Sequence, residues 1–265
     1  MIWLTAVAVA MALALSGLLL SWRIELRERR HSALIATSIE NLIKLIQGVQ
    51  KHRGLGAQGT PDAAQQLDAL RAQMERQWRD QYERLSVTSP ALAKLVDQLQ
   101  RQWLLVRNNP GDFDMHCRLL DRMLTTVEIF ERQCAQLRND WKLTVASRCR
   151  AIEDLARLRG RSAQAARFSK CPIELVVSLR YLGQCVKAGS LYRDDLKIGA
   201  ALDEIEKNLL ATDRVSITPG RCFELLTPSV DRALDALLLV LVEAPARGKL
   251  RQSQYGLPRA SATAV

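Results

Sequence analysis

The sequence predicts an all-α protein, on three observations. Apolar residues recur at three- and four-residue steps over long stretches, and no run alternates in the manner of a strand. The 13 glycines and 8 prolines in 265 residues cluster between those stretches, where they punctuate helices. Aromatics make up only 5%, so leucine, alanine and valine must fill the core. The expected architecture is an N-terminal transmembrane helix followed by a helical-bundle domain of two packed bundles.

Residues 2–22 carry no charge and are long enough to cross a bilayer as a helix, with Trp3 and Trp22 near the two ends. A cleaved signal peptide would want a basic stretch first, and only Met1 precedes the apolar run. Arg23, Arg27, Arg29 and Arg30 follow it. The positive-inside rule then places the remainder in the cytoplasm, as for a single-pass protein of a bacterial inner membrane. Residues 1–31 are expected to form this anchor and its basic edge, 32–244 the folded domain, and 245–265 a disordered tail without periodicity.

From residue 25 to about 53 the pattern stays helical, through Leu34, Ile35, Ile39, Leu42, Ile43, Leu45, Ile46 and Val49. That stripe suits either pairing of two copies into a homodimer or an internal core. Gly54, Gly56 and Gly59 should end this helix. Thr60-Pro61-Asp62 reads as a capped start, with proline at the first helical position, for a helix reaching about Leu85. Ser89-Pro90 opens another, which closes near Asn108. Asp112 or Asp114 caps a stretch that runs to Gly160 and is expected to kink or divide near Asn139-Asp140. Further helices are expected over 173–187 and 191–211, and a last one from Thr227-Pro228.

A formal net charge of +10 permits acidic lipid, nucleic acid or small anions as partners. No nucleic-acid motif is present, and the aromatics are too scattered for a stacking platform, so no nucleic-acid partner is expected. The cysteines at 117, 134, 149, 171, 185 and 222 form no CxxC pair, and the three histidines lack zinc-ligand spacing from them. They read as small buried apolar residues in a reducing compartment, although their even number also allows disulfides, and no metal or cofactor is expected. His116 beside Cys117 resembles a base and nucleophile only on paper. Helix neighbours point about 100° apart, and no enzyme is expected.

One stretch recurs. Arg53-Gly54-Leu55-Gly56-Ala57-Gln58 and Arg159-Gly160-Arg161-Ser162-Ala163-Gln164 share Arg-Gly-x-small-Ala-Gln, 106 positions apart. A guanidinium offers a planar fork that matches small planar oxyanions, and glycine lets a ligand or neighbour approach the backbone. Two copies could clamp one anion between two helices. Equally, arginine followed by glycine is common at helix ends, where cation and cap both suit the dipole.

Gln50-Lys51-His52-Arg53-Gly54-Leu55-Gly56-Ala57 resembles the first signature of the nitrate- and nitrite-sensing (NIT) domain family. Arg157-Leu158-Arg159-Gly160-Arg161-Ser162-Ala163 resembles its second, and Phe223 to Asp231 resembles its Phe-x-x-x-Thr-x-x-Ile-Asp ending. His52 stands where the family usually has an acid, and Gly56 where it usually has serine. The resemblance covers about residues 32–244. It implies a nitrate or nitrite ion held by Arg53 and Arg159, with His52 next and Arg221 as a further contact. Such sensors usually carry an output module. The 20 or so residues after Val242 hold none, so the resemblance implies signalling through a partner protein. A membrane-tethered helical scaffold without a ligand is the alternative.

Overall fold

A computed structural model describes the backbone of residues 2–137, 144–189 and 195–255, and the side chains of these except 2, 4–10, 12 and 242–255. The described residues are all-helical, without strands: α1 (Ile2–Gln58), α2 (Pro61–Thr88), α3 (Pro90–Val106), α4 (Phe113–Leu137), α5 (Val145–Ala165), α6 (Ile173–Ala188), α7 (Leu196–Ile205) and α8 (Pro219–Tyr255). One π-helical turn, Glu206–Leu210, follows α7.

Local chemistry sets the starts of these helices. Thr60 accepts a bond from the Ala63 amide and Pro61 supplies the first helical position of α2. Asp112 accepts from the Met115 amide at the start of α4. Glu131 on α4 caps α5 from outside, accepting from the Val145 and Ala146 amides at 2.7 and 3.0 Å. Asp195 caps α7 through the Lys197 amide.

Several boundaries differ from expectation. Gly54 and Gly56 are helical, and α1 ends only at Gln58, before Gly59 at φ 64°. The helix expected from residue 227 begins at Pro219, because Thr218 caps it through the Arg221 amide. Pro228 therefore lies inside α8. The backbone of α8 is helical to Tyr255, where a tail without structure was expected from 245, and residues 256–265 lie outside the described residues. The long stretch after Asp112 does divide, into α4 and α5. Residues 138–143, where the break was expected, lie outside the described residues, as do 190–194 of the helix expected over 191–211.

The stripe on α1 is core from Ile35 onward, whereas Leu34, expected within it, is exposed. Ile35, Ile39, Leu42, Ile43, Leu45, Ile46 and Val49 are buried within the single chain, so this face is not free for pairing with a second copy. It packs on α2, α4, α5 and α8. Among the described residues no helix is long and apolar enough to cross a membrane, so the expected N-terminal membrane helix is not found as one. Much of it, the side chains of residues 2, 4–10 and 12, lies outside the described residues.

α1 packs chiefly on α4, and α5 chiefly on α8. These two pairs meet through α1 with α5, α1 with α8 and α4 with α5. The last turns of α1, the middle of α5 and the first turns of α4 and α8 thus converge on one buried region.

Candidate functional site

Arg53 and Arg159 both lie in that region, 0% and 1% exposed. Each guanidinium stacks on a phenylalanine at the start of its own half's last helix: Arg53 over Phe113 at 5.0 Å, and Arg159 over Phe223 at 4.5 Å. The glycine beside each arginine serves the other copy. A Cβ on Gly160 would stand 2.7 Å from the Phe113 ring, and one on Gly54 would overlap the Phe223 ring. Each Arg-Gly pair therefore supplies one cation and the gap that admits the aromatic platform of its counterpart.

The correspondence extends further. Arg53 Nη1 donates to Cys117 Sγ at 3.3 Å, and Arg159 Nη1 donates to Thr227 Oγ1 at 3.2 Å. Cys117 stands four residues after Phe113, as Thr227 does after Phe223. The Thr227 hydroxyl in turn donates to the Phe223 carbonyl. Four residues further on, Asp121 binds Arg157 at 3.0 Å and Asp231 lies 4.0 Å from Lys51. Lys51 and Arg157 stand at equal places before their arginines. The recurrence is thus a duplicated frame of six residues per copy, spread over four helices.

The carboxylate breaks the pattern. Glu153, 2% exposed, grips Arg53 with both oxygens at 2.5 and 3.1 Å, and takes further bonds from Gln50 at 2.9 Å and Arg157 at 3.3 Å. Burial opposes the charge of Arg53, but Glu153 more than offsets it and holds the pKa above its ordinary value. The place of Glu153 in the first copy belongs to Gln47, a neutral amide that bonds Asp231 at 3.4 Å. Arg159 consequently has no carboxylate within bonding distance among the described residues. Burial first, then the charge of Arg53, pushes its pKa down to about 10, against smaller opposing effects of Asp231 and Glu153. Both Arg53 Nε and Arg159 Nε are buried without a hydrogen-bond partner among the described residues.

His52 turns away from the arginines. Its Nδ1 lies 2.8 Å from His116 Nε2, and His116 Nδ1 lies 2.6 Å from the Asp112 carbonyl oxygen. A carbonyl only accepts, so His116 carries its proton on Nδ1 and accepts at Nε2. His52 must then donate from Nδ1, which leaves its Nε2 to accept from Arg71 Nε at 3.3 Å. The chain closes only with both rings neutral. Burial accordingly pushes His52 down to about 3, with His116 and Arg71 adding to it. Burial likewise pushes His116 down to about 4. His116 and Cys117 diverge around α4, one toward His52 and the other toward Arg53, and burial raises the Cys117 thiol.

Arg221 stands apart. It is exposed and grips Glu204 at 3.0 and 3.1 Å. Two residues before Phe223, it projects about 200° around α8 from the face that meets Arg159. Gly56 sits where the Pro110 carbonyl leaves no room for a Cβ, which accounts for a glycine there. No disulfide and no cluster of metal-ligating residues occurs among the described residues.

The roles of Glu153, Phe113, Cys117 and Thr227 beside the arginines were not read from the sequence. The signal was present: carrying the 106-residue offset back from Arg159 aligns Glu153 with Gln47, and Phe-x-x-x-Cys-x-x-x-Asp at 113–121 repeats as Phe-x-x-x-Thr-x-x-x-Asp at 223–231. Comparison with protein-family models, with curated proteins and with solved structures finds no match to this chain.

Proposed function

We propose that this chain is a non-enzymatic sensor of a small oxyanion, nitrate or nitrite, with Arg159 as the principal ligand. The observation that carries this reading is the state of Arg159: a fully buried guanidinium on an aromatic platform, with one hydroxyl partner, an idle Nε and no carboxylate within bonding distance among the described residues. An uncompensated buried cation is costly, and a small anion removes that cost. Arg53 contributes the second idle Nε, on the side facing Gly160. His52 sits behind Arg53 in its own hydrogen-bonded chain and supports the helix end rather than the ion.

The two-bundle sensor architecture and the membrane anchor belong to the same proposal. Met11, Leu13, Leu15, Leu18, Leu19, Leu20 and Trp22 are exposed on all sides of α1. A helix apolar all round calls for lipid, and the four arginines beyond it favour a cytoplasmic domain in a bacterial inner membrane. Output then passes to a separate signalling protein.

Calorimetry of the full chain in detergent, titrated with nitrate and with nitrite, tests the reading. The expected outcome is one ion per chain, with affinity reduced about 30-fold or more in Arg159→Ala. Absence of heat at millimolar concentrations of both ions overturns it. In that event the ligand-free scaffold gains, a reading favoured by the way Glu153 already occupies Arg53.

A further inference from the structure

The duplicated frame places equivalent groups in both copies, with one uncompensated exception. Lys51 answers Arg157, Asp231 answers Asp121, Thr227 answers Cys117, and Phe223 answers Phe113. Each member makes the same kind of contact as its counterpart. Glu153 and Gln47 occupy equivalent places, yet one is a carboxylate that grips the opposite arginine and the other is a neutral amide. The carboxylate is planar, carries one negative charge and offers two oxygens to a guanidinium, which is how nitrate or nitrite would present itself.

We infer that Glu153 is a tethered internal anion that permanently fills the first of two equivalent half-sites, and that Gln47 keeps the second one open for a diffusible planar oxyanion at Arg159. This deepens the anion-sensing reading and rests on it. The ion takes the place beside Arg159 that the Glu153 carboxylate takes beside Arg53. Gln47 contributes an amide in place of a competing negative charge, and Lys51 flanks the open half as Arg157 flanks the filled one. The same logic sets selectivity. A half-site shaped for a carboxylate-sized planar group favours nitrate, nitrite or formate over tetrahedral sulfate or phosphate. It also fixes one ion per chain in a frame with two arginines.

The test moves the carboxylate. In Gln47→Glu, made and compared throughout in an Asp231→Asn background so that the new carboxylate does not face the one Gln47 now bonds, the chain supplies its own anion to Arg159 with Lys51 one turn away, as Arg157 is from Glu153. The nitrate-free melting temperature is expected to rise by about 2–4 °C, and nitrate binding to be lost. In the swapped variant Gln47→Glu with Glu153→Gln, nitrate binding is expected to return with its dependence reversed: abolished by Arg53→Ala and retained in Arg159→Ala. A melting temperature that stays level or falls in Gln47→Glu overturns the inference, as does nitrate binding at the wild-type affinity. Should the wild-type chain bind no nitrate, the sensing reading fails by itself. The nitrate-free melting temperature of Gln47→Glu then still decides whether Arg159 lacks a built-in counter-charge. Should the swapped variant fail to fold, the single substitution carries both readouts.

Discussion

His52 and His116 occupy, in the half of the molecule made by α1–α4, the places that Leu158 and Leu226 hold in the half made by α5–α8. Both histidines and both leucines are buried. In one half the space is bridged by a directed chain of hydrogen bonds from Arg71 to the Asp112 carbonyl, and in the other the two leucines belong to the buried apolar core. The outer helices differ as well. α2 packs on both α1 and α3, whereas α6 packs on α5 and is parted from α7 by a cleft of about 320 Å³, floored by Leu158, Leu179 and Leu202. The two halves share a frame and differ in matched sets of residues, two histidines against two leucines. A buried polar group is stable in such a set only with its partner. Glu153 against Gln47 is the exchange made without compensation, and it falls beside the two arginines.

The largest effect should come from breaking that one difference. Glu153→Ala leaves Arg53 buried without a counter-charge and is expected to cost about 3–5 kcal/mol in chemical denaturation. Gln47→Ala, at the equivalent place, should cost under about 1.5 kcal/mol, the lower edge for a hydrogen bond to a charged group, because its bond to Asp231 is long at 3.4 Å. Equal losses would show that the halves are electrostatically alike after all. Next come the glycines. Gly54→Ala and Gly160→Ala push the facing phenylalanine ring, and each should cost about 1–3 kcal/mol. Gly54→Ala should be the costlier of the two, because its Cβ overlaps the Phe223 ring further than that of Gly160→Ala overlaps Phe113.

The histidine pair offers a double-mutant cycle. His52→Leu alone removes the donor to His116 Nε2 and should cost about 1–3 kcal/mol. Adding His116→Leu, which reproduces the pair found in the other half, should recover most of that loss. A sum of two independent penalties would break the comparison. pH gives a smaller and graded version. Both rings have folded pKa values below the ordinary 6.5, about 3 and about 4, so protonation favours the unfolded chain. Their contribution is complete above about pH 6.5 and is lost as pH falls below it toward the folded values. A denaturation series from pH 7 to 5 should show a shallower slope in the double leucine variant. The smallest effect is expected from Arg221→Ala, which breaks only the exposed contact with Glu204 and should leave anion binding unchanged.

Much of the helix order could be read in the chain because capping residues and apolar steps are local. Thr60-Pro61 and the stripe from Ile35 to Val49 needed no knowledge of what they meet. The start of α8 was misplaced because Thr227-Pro228 has the form of a cap. Only the tertiary position of Thr227, holding Arg159, shows that its hydroxyl is engaged elsewhere. Within the site, the arginines stood out through recurrence, but what each one meets did not. Glu153 lies on the same helix as Arg159 and serves Arg53, so its role is set by packing between α1 and α5. Arg221 looked right by nearness to Phe223 along the chain, whereas a two-residue step on a helix faces away.

The ion pair across the two halves also has a consequence for how the chain is made. Arg53 and Glu153 are 100 positions apart. At synthesis rates of about 5–20 residues per second, Arg53 leaves the ribosome roughly 5–20 s before its carboxylate exists. Throughout that interval the emerging α1–α4 segment holds a cation that its own helices cannot neutralise, and a Phe113 ring still lacking the gap at Gly160. The nascent segment should therefore stay loosely packed around Arg53 until α5 arrives, and the final closure of the first half is timed by translation of the second.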